Sequence, residues 1–437
     1  MADVRPFRGL RYAATAVADL SAVVTPPYDV IDPAAQARYL DRDPHNIIRL
    51  ELGQDQPNDD RLDNRYTRAA ALFARWRLDG TMQIDPQPAF YLYRQSFAVA
   101  GTPYVRTSVL ARVRLQPWED GVILPHEQTL AKPKDDRMKL LRATTANLSP
   151  IMALFDDPKS VVGKLLAKTT KTKPAVEFTD DAGEAHALWL VTDPTVIAKI
   201  SAAFADQQLF IADGHHRYET ALAFRDEVSE LHRGLTNDEA AHFVLMALVA
   251  TNDPGLVVLP THRTVRAIAA QRLTDLETAL AANWTLEPLD ATLDAEAITA
   301  KLHAAGQDAT SVAAVVAMRD HLWLARLTPA GHEHMHALPE PAAWQALDVA
   351  IAQELIIEAC LGITRDVITT GDQISYVRDA AQALADVTSG AAQVAILLNA
   401  TRPEQVRDVA KAGGRMPQKS TFFYPKLITG AVINPIW

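Results

Sequence analysis

The spacing of apolar residues switches repeatedly between the two-residue period of a strand and the three-to-four-residue period of a helix. DPAAQARYLDR reads as a helix with Asp32 at its N-cap and Pro33 in its first turn. HNIIRLELG alternates as a strand would, and NRYTRAAALFARWRLDG reads as an amphipathic helix closed by Gly80. AFYLYRQSFAVAG and PYVRTSVLARVRLQPW predict a hairpin with Gly101 and Pro103 in its turn. A charged loop and helix then lead into a strand at IMALF, and VEFTDDAGEAHALWLVTD predicts a second hairpin. PTVIAKISAAFADQ and HRYETALAFRDEVSEL read as helices on either side of the strand QLFIADG. AHFVLMALVATND and LVVLPTHRTV read as strands.

From about Leu273 the pattern changes to strand, helix and hairpin in WTLEPL, AEAITAKLHAAG and SVAAVVAMRDHLWLARL. PAAWQALDVAIAQELIIEACLG predicts one long helix, GAAQVAILLNA a buried strand and PEQVRDVAKAGG a helix. This alternation predicts an α/β or α+β fold with mixed sheets. The expected organisation is an N-terminal mixed region over 1–272, a small α/β subdomain or insertion over 273–335, and a C-terminal region over 336–437 that packs back on the core.

Composition narrows the function. The chain has 437 residues, enough for two or three domains. Its net charge of -10 disfavours nucleic acid as a partner, because such binding needs a basic surface that displaces counterions. No stretch approaches a membrane span, the charged start MADVRPFRGLRY has no signal-peptide core, and the single cysteine, Cys360, excludes an internal disulfide. A cytoplasmic protein without membrane contact is expected.

Five stretches carry candidate chemistry. In IADGHHRYETA a strand ends at Asp213, Gly214 allows a tight bend, and His215, His216 and Arg217 open a helix. Amides in the first turn of a helix lack partners and the helix dipole adds positive charge, so such a corner suits an oxyanion. Arg217 supplies a bidentate fork, the histidines can move a proton, and Asp213 can bind magnesium or accept a hydroxyl proton. LPHEQTLAKPKDDRMKL offers His126, Glu127 and Arg137, whereas Lys132, Lys134 and Asp135 read as a solvated face. LPTHRTV puts His262 and Arg263 at a strand end, suited to phosphate or carboxylate. MPQKSTFFYPK carries Lys419, Ser420 and Thr421 but lacks the glycines of a P-loop. TPPYDVI holds Tyr28 and Asp29 on a loop stiffened by two prolines, a candidate substrate contact.

Taken in order, TPPYDVI, NIIRLELG, LPHEQT, DDRMKLLRAT, IADGHHRYETA, LPTHR and MPQKSTFFYPK resemble a bacterial and archaeal family, domain of unknown function 1015, which carries a ParB-like label. The resemblance spans nearly the full length. More narrowly, DGHHR is similar to the phosphate-binding turn of the ParB and sulfiredoxin superfamily, which includes CTP-binding partition proteins, ATP-using sulfiredoxin and free-serine kinases. It implies a nucleotide-binding core with a smaller α/β subdomain. Two departures matter. His215-His216 stands where sulfiredoxin has a cysteine, so that chemistry does not carry over, and the helix-turn-helix of partition proteins has no counterpart.

The leading expectation is a kinase using ATP or ADP, with Mg2+, on a small hydroxylated metabolite, serine-like in one form. Gly214, His215, Arg217, His262, Arg263 and Lys419 would bind nucleotide or phosphate. Asp213, His216, Glu127 and His126 would be catalytic, with Asp213 and Glu127 as magnesium ligands. Tyr28, Asp29, Arg137, Ser420 and Thr421 would contact the substrate. A phosphatase using the same cationic pocket and a non-catalytic nucleotide sensor are the alternatives, and a homodimer is a candidate assembly.

Overall fold

The computed structural model describes residues 1–129, 131–290, 292–307, 312–370 and 373–437. Helix α1 (Pro33–Arg42) starts where its cap dictates, with the Asp32 carboxylate accepting from the Ala35 amide at 2.7 Å. Helix α2 (Ile48–Glu51) replaces the strand expected at HNIIRLELG. Ile47, Ile48 and Leu50 are all buried, so the apolar residues serve more than one side, as a helical turn allows and a half-exposed strand does not. The Asn46 side chain accepts from the Ile48 amide at 3.0 Å and starts the turn. Helix α3 (Arg65–Leu78) is capped reciprocally by Asn64 and Thr67, and α4 (Ala131–Thr144) is the helix expected after the charged loop.

Two compact units emerge. Unit 1 comprises residues 1–125, 129–257 and 425–437. Its principal strands are β1 (Phe90–Val99), β2 (Thr102–Arg114), β3 (Ile151–Phe155), β4 (Val176–Thr179), β5 (Ala185–Val191), β6 (Leu209–Asp213) and β7 (Phe243–Ala250). The sheet runs in the order Ile123–Leu124, β6, β3, β7, β2, β1, β5, β4. It is mixed: β3 and β7 are parallel, whereas β6 and β3, like β1 and β2, are antiparallel. The β1–β2 turn uses Ala100 and Gly101 with φ of 47° and 77°, the left-handed pair that matches hairpin twist. Pro103 lies beyond that turn, inside β2 and opposite Ala98, contrary to the sequence expectation.

One face of this sheet, with Leu92, Ala111, Ile151, Ile211 and Met246, shares a core with α5 (Val161–Thr169), α6 (Pro194–Phe204) and α7 (His215–Leu231). Phe155 and Phe204 meet edge-on at 4.7 Å within it. By strand alternation Gln95 and Arg106 point to the other face. There Gln95 donates to the Lys426 carbonyl at 3.0 Å and Arg106 to the Pro425 carbonyl at 2.5 Å. These bonds dock the chain's last segment on unit 1.

Unit 2 comprises residues 126–128 and 258–424. Its strands are β8 (His262–Val265), β9 (Trp284–Pro288), β10 (Ala313–Met318), β11 (His321–Leu327), β12 (Ile374–Val377) and β13 (Val394–Leu398). They pair antiparallel in the order β9, β11, β10, β13, β8, β12. Helices α8 (Ala295–Ala305) and α9 (Ala380–Ser389) bury Ile298, Leu302, Ala383 and Val387 against this sheet. The single long helix expected at PAAWQALDVAIAQELIIEACLG is broken into Ala342–Gln345, Asp348–Ala352 and a π-helical stretch, Gln353–Glu358. Leu347 is extended (φ −83°, ψ 127°), which restarts the chain, and Val349 to Ala352 and Leu355 to Ile357 are then buried on all sides of the helical path. Among the described residues no helix is long and apolar enough to cross a membrane.

Candidate functional site

The strongest site in unit 1 is the corner between β6 and α7. The register of β6 against β3 shifts between Ile211 and Asp213, a bulge that re-aims the strand's last side chains. Gly214 then takes φ +98° and serves as the N-cap of α7, with no side-chain cap bond. Asp213 therefore does not cap the helix. Its Oδ2 accepts from Arg217 Nη2 at 2.7 Å and its Oδ1 from Lys426 Nζ at 2.5 Å. Burial alone would raise the Asp213 pKa, but Lys426 and Arg217 outweigh it and hold the carboxyl far below its ordinary range. His215 is buried and His216 half-buried on the first turn.

Arg217 does not present an open fork. Its Nη1 donates to the Pro150 carbonyl at 2.5 Å, its Nη2 to Asp213, and the guanidinium folds over the glycine. A Cβ on residue 214 would stand 2.9 Å from Arg217 Nη2 and 3.0 Å from Cζ. Gly214→Ala is thus strained twice, by its left-handed φ and by this contact. A loss of about 1–2 kcal/mol is expected from the backbone alone, read as a lowered urea midpoint with unchanged slope. An unchanged midpoint would show that the bend is not held as described.

Behind this corner lies a cavity of about 50 Å³, room for very few waters, lined by Glu51, Arg137, Ser149, Arg217 and Thr220 among others. Thr220 Oγ1 is buried there without a hydrogen-bond partner among the described residues. Arg137 is deeply buried and its donors are occupied. Nη1 reaches Glu51 Oε1 at 3.1 Å, Nη2 the Glu51 carbonyl at 3.0 Å, and Nε Asp136 Oδ2 at 2.7 Å. Its guanidinium lies over the Tyr28 ring, 3.9 Å from the centroid. Burial pushes the Tyr28 hydroxyl up to about 12, with Arg137 opposing. Tyr28 and Arg137 thus form one structural cluster with Glu51, while Asp29 is exposed on the adjoining turn. Lys134 pairs with Glu219 at 2.9 Å and Asp135 with Lys139, and the Lys132 side chain lies outside the described residues.

The remaining predicted residues belong to unit 2. The segment 416–421 is tied to 126–128: the Met416 amide donates to the His126 carbonyl at 2.7 Å, and the Lys419 amide to Glu127 Oε1 at 3.2 Å. His126 is buried with Nε2 3.2 Å from Thr421 Oγ1. Ser420 donates through its hydroxyl to the Pro417 carbonyl, and Lys419 has φ +55° with its side chain outward. On β8, His262 Nδ1 accepts from the Leu398 amide at 3.2 Å. Arg263 is buried, donates to the Thr261 and Lys419 carbonyls, and has no carboxylate partner among the described residues. Burial lowers its pKa to about 10, against the pull of Tyr376.

The sequence reading thus divides. Asp213, Gly214, His215, His216 and Arg217 form one corner in unit 1; Arg137 lines the cavity behind it and covers Tyr28, with Asp29 exposed beside them. His126, Glu127, His262, Arg263, Lys419, Ser420 and Thr421 lie in unit 2. Lys426 was missed, although it closes the MPQKSTFFYPK stretch. Nothing local marks a lysine 213 positions from its carboxylate as that carboxylate's partner.

Solved structures similar to the chain include a conserved hypothetical protein from Pyrococcus furiosus, 12% identical with a TM-score of 0.34, covering 73% of this chain and 92% of that one. A free serine kinase in complex with AMP is 12% identical with a TM-score of 0.34, covering 74% of this chain and 91% of its own. SbnI from Staphylococcus aureus, with a C-terminal truncation, is 10% identical with a TM-score of 0.34, covering 73% and 85%. No protein of curated function matches the chain. One family model matches residues 4–350, most of the chain, and by that match the chain belongs to the family described as protein of unknown function (DUF1015).

Proposed function

We propose that this protein is a nucleotide-dependent phosphotransferase acting on a small hydroxylated metabolite, with ATP or ADP as the nucleotide and a serine-like compound among the acceptors. One observation carries the reading: the bulge, glycine bend and helix start that hold one carboxylate between a lysine and an arginine. Phosphoryl transfer needs positioning and charge neutralisation more than covalent chemistry. Two cations against one carboxylate leave this corner net positive, and the start of the 17-residue helix α7 adds partial positive charge. A phosphate at the bend competes with Asp213 for Lys426 and Arg217. Once those cations turn to the phosphate, the Asp213 carboxylate is able to accept the hydroxyl proton of an acceptor.

Both Asp213 oxygens are engaged by cations, so the corner does not present a ready magnesium ligand, and no step is assigned to that ion. In unit 2 the buried Arg263, with no acidic partner among the described residues, is a separate candidate for anion binding.

The test supplies ATP or ADP with a panel of small hydroxylated metabolites and follows nucleotide conversion and acceptor phosphorylation together. Lys426→Met is expected to lower the rate by about 10²–10³, the usual cost of losing one charge-stabilising group. Full activity in that variant would sink the assignment. Nucleotide binding without product supports the sensor reading, and phosphate release from esters without nucleotide supports a phosphatase.

A further inference from the structure

Among the described residues, one group of histidine and carboxylate side chains is placed to hold a metal ion, and it lies outside the corner discussed above: Asp180, Glu184 and His186. All three belong to the β4–β5 hairpin of unit 1. The chain sequence D-D-A-G-E-A-H makes the turn itself the scaffold. Asp180 Oδ1 accepts from the Ala182 and Glu184 amides, each at 2.9 Å, and the Asp180 amide donates to the Glu184 carbonyl at 3.0 Å. These bonds fix one carboxylate oxygen and turn the other, Oδ2, toward His186, 3.3 Å from its Nε2.

His186 is 2% exposed. Its ring is held on two sides, stacked on Phe178 at 4.7 Å and on Tyr93 at 5.9 Å. Nδ1 lies 2.6 Å from the Tyr93 hydroxyl, which fixes the ring's rotation. Nε2 is buried and, among the described residues, makes no hydrogen bond of good geometry; its contact with Asp180 Oδ2 is that of an ion pair. A buried ring nitrogen normally finds a partner. Here Tyr93 satisfies one nitrogen, the other lies 3.3 Å from Asp180 Oδ2, and an oxygen of Glu184 falls within 4.8 Å of donor atoms of both residues.

We infer that Asp180, Glu184 and His186 form a binding site for a divalent first-row transition-metal ion, with Tyr93 as the outer partner that orients the imidazole. Donor atoms from the three residues lie within 4.8 Å of one another. A tetrahedral ion about 2.0–2.2 Å from each donor sets donors about 3.4 Å apart, so a pair at the 4.8 Å limit closes by about 1.4 Å, a side-chain rotation rather than a backbone move. One imidazole with two carboxylates selects zinc, manganese or iron rather than calcium, which takes oxygen ligands. The Tyr93 contact at Nδ1 is the outer-shell bond that metal-bound histidines use to set tautomer and basicity. Because all three ligands come from one hairpin, bound metal clips the turn and stabilises unit 1.

Chelator-treated full-length protein is titrated with Zn2+ by calorimetry and with Co2+ by visible absorption. The background carries His332→Ala, because His332 and His336 form a second, solvent-accessible imidazole pair with centroids 6.4 Å apart. One zinc per chain is expected, with a cobalt ligand-field band and a raised melting temperature. His186→Gln should weaken zinc at least 100-fold and remove the band. Asp180→Asn keeps an oxygen for the Ala182 and Glu184 amides and replaces the ligand oxygen Oδ2 with an uncharged amide nitrogen. It should weaken zinc about tenfold or more while leaving the metal-free fold unchanged, which covers a failure of the histidine variant to fold. No zinc uptake by the His332→Ala protein, or zinc binding there unaltered by both further substitutions, overturns the proposal.

Discussion

Asp213→Ala is expected to destabilise unit 1 by about 3–5 kcal/mol, the usual cost of removing one partner of a buried ion pair. Asp213 is only 17% exposed, and the Lys426 and Arg217 side chains that flank it are 13% and 11% exposed. Removing the carboxylate leaves two poorly hydrated like charges facing the space it occupied. The result is repulsion as well as lost bonds. Adding Lys426→Met to Asp213→Ala should recover a large part of the loss, because only Arg217 then remains, still bonded to the Pro150 carbonyl. Denaturant titration of the two single variants and the double variant gives the coupling directly. The carboxyl is held far below its ordinary pKa, so its contribution is complete above about pH 4 and is lost progressively as the pH falls from there through the folded value in strong acid. A cost below about 1 kcal/mol for Asp213→Ala, typical of solvated pairs, would show that the three charges do not form the buried cluster described.

The second large effect is a pH dependence in unit 2. Burial pulls the His262 pKa down to about 4, with Arg263 adding to the shift and Asp379 opposing it. An unfolded histidine titrates near 6.5. Between those values the unfolded chain binds a proton that the folded chain refuses. Stability therefore falls as the pH drops from about 6.5 to 4 and levels off below that. The full difference amounts to roughly 3 kcal/mol. The structural cause is local, because Nδ1 accepts from the Leu398 amide and a proton there would replace that bond with a clash of two donors. In His262→Asn an amide oxygen keeps the acceptor and removes the titration. Urea unfolding at pH 7 and pH 4.5 should show a smaller difference in the variant than in the wild type. Equal acid sensitivity in both would assign it to other groups.

The sequence reached the parts of this protein that depend on neighbours in the chain. Asp32 before Pro33 fixed the start of α1, Gly101 marked the hairpin turn, and the strand–glycine–helix order at IADGHHRYETA set the bend at Gly214. Where local preferences were balanced, tertiary contacts decided. HNIIRLELG satisfies either period by its apolar spacing, and Glu51 at its end is buried in a pair with Arg137, 86 positions away. The predicted long helix after Pro341 breaks at Leu347, and beyond the break both the short α-helix and the π stretch are buried on all sides, so packing and not an amphipathic period sets their form.

The same division runs through the candidate site. The residue types at the corner were legible because bends and helix starts have local requirements. Their charge state was not. Whether Arg217 offers an open fork or folds onto Asp213 depends on the Pro150 carbonyl and on Lys426. Lys426 arrives only because Gln95 and Arg106 hold the returning chain by its carbonyls. The amino-acid order by itself determined where the backbone turns and which groups stand at the turn. The packed structure alone decided which charges meet, because ion pairing depends on distance and burial, and both are set by segments far apart in the chain.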